Sequence, residues 1–135
     1  MIARRHMFTV AAAAVLGLSA LAPSLAQAAT EYPFTQQAFT DAQKAGKPIL
    51  VDVWASWCPT CKAQAPTLSQ IIADPTTKDL LVFKVDFDAQ KDVVKNFGVQ
   101  MQSTLIVFNG KTEKGRSTGD TDPASIKALV AKSKP

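Results

Sequence analysis

Ile49-Leu50-Val51-Asp52-Val53-Trp54-Ala55-Ser56-Trp57-Cys58-Pro59-Thr60-Cys61-Lys62 is the stretch on which the reading of this chain turns. Its first half is a near-continuous apolar run, as expected of a strand buried on both faces, with Asp52 as the anomaly. Its second half holds both cysteines of the chain, separated by Pro59 and Thr60. Pro59 is favoured in a first helical turn, which predicts a helix from about Pro59 to Ala73. Cysteines at a helix start meet unpaired backbone N–H groups and the positive end of the dipole, which favour the thiolate of the first. The pair is therefore a candidate for thiol–disulfide exchange. A structural staple is a poor alternative, because the stabilisation grows with the loop closed and two intervening residues close a very small one. Half of a four-cysteine zinc site lacks its second pair.

The N-terminal segment bears on the redox compartment. Arg4, Arg5 and His6 form a basic start, Met7 to Ala22 is apolar or small, and Ala26-Gln27-Ala28 supplies a small-x-small cleavage pattern. This is the layout of a secretory signal peptide over residues 1–28, leaving one domain over 29–135. The apolar run is shorter than the ~20 residues of a membrane-spanning helix. Export to the periplasm is expected, where a cysteine pair is oxidised unless a donor keeps it reduced. Removing the two leader arginines lowers the basic count from 15 to 13 against 11 acidic residues, a net charge of +2. That small excess gives no reason to invoke nucleic acid. The leader also carries the single histidine, so a mature chain would have neither Cys/His nor Ser/His/Asp catalysis.

Outward from the opening stretch, Phe34 to Ala45 reads as a helix with Thr35 as cap and Gly46 as terminator. Leu80 to Phe87 reads as a second strand, Ala89 to Phe97 as a helix and Thr104 to Phe108 as a third strand. Asn109-Gly110 turns the chain toward a weaker strand near Lys114 to Gly119, and Asp122-Pro123 opens a last helix. Pro66 falls inside the second helix and should kink it. The βαβ unit predicts parallel strands and the final pair an antiparallel hairpin, hence an α/β fold with a central mixed sheet flanked by helices on both faces.

These features together resemble the thioredoxin superfamily over nearly all of residues 29–135. The resemblance is carried by Val51 to Lys62 and continues at Pro66, Lys84, Phe97-Gly98-Val99, Thr104-Leu105, Asn109-Gly110 and Gly119. It implies the thioredoxin fold and a disulfide reductase without a cofactor. Cys58 would be the exposed nucleophile, Cys61 the resolving thiol, and Asp52 the proton acceptor beneath Cys61. Trp57, Pro59 and Thr60 would line a substrate groove on one side, with Gln102, Ser103 and Thr104 on the other. Ser103 stands where the family has a cis-proline, and a cis bond before a non-proline residue costs ~2.5–4 kcal/mol, so a trans bond is expected. The segment Ala45-Gly46-Lys47-Pro48 resembles the periplasmic domain of DsbD-type membrane reductases. The expected partners are disulfide-containing proteins and a membrane electron donor of the DsbD type, with the protein acting as a monomer. A second reading assigns Cys58, Cys61 and Met101 as soft ligands for Cu(I) in a metal-transfer protein.

Overall fold

The computed structural model describes residues 28–135. The expected leader lies outside the described residues, apart from Ala28. The chain runs β1 (Thr30–Pro33), α1 (Gln36–Lys44), β2 (Pro48–Trp54), α2 (Pro59–Ala73), β3 (Leu81–Asp86), α3 (Lys91–Asn96), β4 (Thr104–Asn109), β5 (Thr112–Thr118) and α4 (Pro123–Ala131). A short 3-10 turn, Pro75–Thr77, joins α2 to β3. The strands form one sheet in the order β1-β3-β2-β4-β5. The first three are mutually parallel, while β4 runs antiparallel to β2 and β5 antiparallel to β4.

Side-chain alternation along β2 divides the core in two. Ile49, Val51 and Val53 face a cluster built with Phe39 and Ala42 of α1 and Val94 of α3. Leu50 faces the opposite cluster, built with Leu68 and Ile71 of α2 and Ile126, Leu129 and Val130 of α4. Helices therefore cover both faces, as the sequence predicts. The period of two places Asp52 on the same face as Leu50, under the helix that carries both cysteines. Lys84 is its register neighbour on β3.

The helix predicted from Phe34 starts later, because Thr35 is its cap and accepts the N–H of Ala38. Phe34 instead packs into the core, edge-on to Phe83 and Phe97. α2 continues through Pro66. The edge strand β1 is absent from the sequence reading. It is four residues long, exposed throughout and ends at Pro33, so it offers no apolar alternation to detect.

Candidate active site

The site forms where β2 ends and α2 begins. Cys58 is the N-cap of α2, with extended backbone, and its Sγ accepts the N–H of Cys61 at 3.0 Å. This is the position at which a thiolate gains most from the unpaired first-turn N–H groups and the helix dipole. Pro59 follows at the start of the helix, where its missing N–H costs nothing. Cys58 and Cys61 are joined as a disulfide, with Cα atoms 5.3 Å apart.

One expectation is reversed. Cys58, read as the exposed nucleophile, has no exposed surface in this oxidised state, whereas Cys61 is partly exposed. The N-cap geometry accounts for this, because it curls Sγ of Cys58 back over the first turn of α2 instead of outward. Cys61 lines a cleft of about 410 Å³ that also reaches Asp52, Lys84, Trp54 and Glu31.

Asp52 is 5 % exposed, and its pKa is pushed up to about 6, chiefly by burial. The Lys84 ammonium opposes that rise and the Glu31 carboxylate adds to it. Lys84 does not pair with Asp52 at contact distance. Its Nζ lies 3.9 Å from Glu31 and 4.7 Å above the Trp54 ring. An acid with a pKa near neutrality, in the same cleft as a thiol, is suited to exchange a proton with it. Glu31 went unnoticed in the sequence because it rides on β1.

The opposing wall is the loop between α3 and β4. Pairing of Val53 with Thr104 brings that loop beside the end of β2. Every peptide bond among the described residues is trans, including Gln102–Ser103. Ser103 is the only non-glycine among them with a positive φ, at 59°, a conformation that costs a residue with a Cβ about 1–2 kcal/mol. The loop is held by its own bonds. The Thr104 hydroxyl donates to Met101 O and lies 2.9 Å from the Thr118 hydroxyl, Ser103 Oγ donates to Gln102 O, and Gly119 N–H donates to Ser103 O.

Of the groove residues expected from the sequence, Trp57 and Pro59 are exposed and Thr60 and Gln102 partly so. Ser103 and Thr104 are buried, which leaves the backbone of this loop as what it offers to the groove. Trp57 and Met101, both 56 % exposed, are the large apolar side chains presented at the rim. Asp88 fixes the Trp57 indole, whose Nε1–H it accepts at 2.6 Å. Asp88→Ala should raise KM for protein disulfides roughly two- to fivefold, the effect of ordering one freed aromatic side chain on binding. Steady-state assays should show kcat and the melting temperature nearly unchanged.

Nothing here favours the copper reading. Both sulfurs are spent in the disulfide, Met101 faces solvent, and no group of three or more His, Cys, Asp or Glu among the described residues could hold a metal.

The thioredoxin family model matches residues 30–132. The chain is 39% identical to thioredoxin of Mycobacterium tuberculosis over 87 residues, 64% of this chain and 74% of the relative. It is 33% identical to thioredoxin of Pseudomonas aeruginosa over 90 residues, 67% of this chain and 82% of the relative. Among solved structures, Trxlp from Edwardsiella tarda superposes with a TM-score of 0.73 at 44% identity, covering 75% of this chain and 98% of that one. The chain belongs to the thioredoxin family and is a thiol–disulfide oxidoreductase with a Cys58–Cys61 disulfide.

Proposed function

We propose that this protein is a periplasmic reductase of protein disulfides, kept reduced by a membrane electron donor of the DsbD type. The observation that carries the reductase chemistry is the placement of Cys58 at the N-cap of α2, its Sγ accepting the Cys61 N–H, with Asp52 and Cys61 sharing one cleft behind it. The Cys58 thiolate attacks one sulfur of the substrate disulfide, forming a mixed disulfide and releasing the other sulfur as a thiolate, which takes up a proton. Asp52, ionised above a pH of about 6, takes the proton from the Cys61 thiol. The Cys61 thiolate then attacks Cys58 Sγ and expels the second substrate sulfur. Two electrons have passed to the substrate and the Cys58–Cys61 disulfide has formed. Because Cys58 is buried in the oxidised state, its surroundings must give way as the disulfide opens.

Export is supported by the basic, apolar and small-residue succession of residues 1–28. The fold takes hold directly after it: Ala29 is buried, and its N–H donates to Ile72 O at 2.8 Å. Trapping free thiols with an alkylating reagent in intact cells tests both claims. The expected result is a reduced pair in a periplasmic fraction, on a chain beginning at Ala29, that becomes oxidised when the membrane donor is removed. A pair fully oxidised in both strains would overturn the reductase direction, and retention of the first 28 residues would overturn the cleavage.

A further inference from the structure

Gln64 is a side chain that this chemistry leaves unused. It is fully buried on α2, on the same face as Thr67, Leu68 and Ile71. An apolar residue would fill such a position. Instead, Gln64 Nε2 donates to Ser103 O at 3.3 Å and to Asp120 O at 2.8 Å. Both partners are carbonyl oxygens, so the amide has one workable orientation, with its NH₂ toward them. That orientation leaves Oε1 buried with no donor from the protein. A buried acceptor without a donor works against folding. Gln64 is thus a poor core residue and an effective tether, joining the helix of the cysteines to two loops.

The tether ends where the opposing wall most needs one. Ser103 holds a left-handed backbone that its Cβ disfavours, and its carbonyl is gripped from two directions, by Gln64 of α2 and by the Gly119 N–H. We propose that Gln64 is a positioning residue for the substrate groove: its amide sets the spacing between the Cys58–Cys61 helix and the 101–103 loop. A protein chain entering beside Trp57 and Met101 then meets a wall already in place, and its binding does not have to order the loop. The inference rests on the disulfide-reducing activity of the site. A small disulfide touches little of the groove and is indifferent to the tether.

The test compares Gln64→Leu and Gln64→Met with the unmodified protein on two substrates, insulin and a small aromatic disulfide. For insulin, KM should rise about tenfold in both variants, while kcat and the small-disulfide rate stay within about twofold. Amide hydrogen exchange at Gly119, whose N–H closes on the same carbonyl, should quicken. Gln64→Glu, which when protonated donates a single bond, should give an intermediate KM that increases as pH rises. An unchanged insulin KM in both apolar variants would overturn the proposal, as would an equal loss on both substrates, which marks general damage. An unmodified protein that reduces neither substrate would instead overturn the activity on which the inference rests.

Discussion

Cys58→Ser should bring disulfide reduction down to the uncatalysed background, while Cys61→Ser should stop the reaction halfway with substrate attached. The difference follows from where the sulfurs sit. Only Cys58 occupies the N-cap, where its Sγ accepts a first-turn N–H, so it is the sulfur whose thiolate the helix start favours and the one that starts the exchange. Without it, Cys61 has neither that stabilisation nor a partner to resolve. Without Cys61, the mixed disulfide on Cys58 forms but has no neighbouring thiol to expel the substrate. Mass spectrometry after incubating each reduced variant with insulin, its disulfides intact, reads this directly. Adducts should accumulate at Cys58 in Cys61→Ser and be absent from Cys58→Ser. Equal trapping on either sulfur would show that the N-cap does not choose the nucleophile.

Asp52→Asn should slow turnover and stabilise the protein at the same time. Burial raises the Asp52 pKa from 3.8 to about 6, so the folded state holds the proton more tightly than the unfolded chain. The sign follows from linkage. Below pH 3.8 the carboxyl is neutral in both states and costs nothing; the penalty grows between 3.8 and about 6 and is complete above that. The difference corresponds to up to about 3 kcal/mol of destabilisation at neutral pH, which Asn, carrying no charge, avoids. Urea unfolding should therefore show the variant more stable at pH 7.5 and the gap closing near pH 4. In parallel, the rise in rate as pH passes about 6 should vanish, because Asn has no carboxylate to take the Cys61 proton. Unchanged pH dependence of both rate and stability would remove Asp52 from the mechanism. A residue that weakens the fold while speeding the reaction is the expected pattern for a buried acid held at a site.

How far the chain could be read in advance depends on where each signal is carried. The βαβ unit, the two-sided core and the cysteine pair are local: apolar runs, a cap residue and a proline at a helix start declare them within a few positions. Asp52 is legible for the same reason, as one charge inside a strand whose neighbours are all apolar. Glu31 and Gln64 are not. Glu31 looks like a surface acid on a strand with no pattern, and it reaches the cleft only through the pairing of β1 with β3. Gln64 looks like one more polar residue on a helix, and only the packing of α2 turns it inward toward Ser103 and Asp120. The burial of Cys58 is hidden for a related reason. The helix start is legible, but which way the capping side chain curls is a property of the closed disulfide. At Ser103 the missing proline was visible, whereas the left-handed backbone that takes its place was not.

The most direct test of the account is a redox titration of the Cys58–Cys61 pair in dithiothreitol or glutathione buffers. A reversible two-electron transition is expected within the range of exchange proteins, about −120 to −270 mV. A pair that stays oxidised to below about −300 mV would be a structural disulfide, and the redox account of this protein would fail.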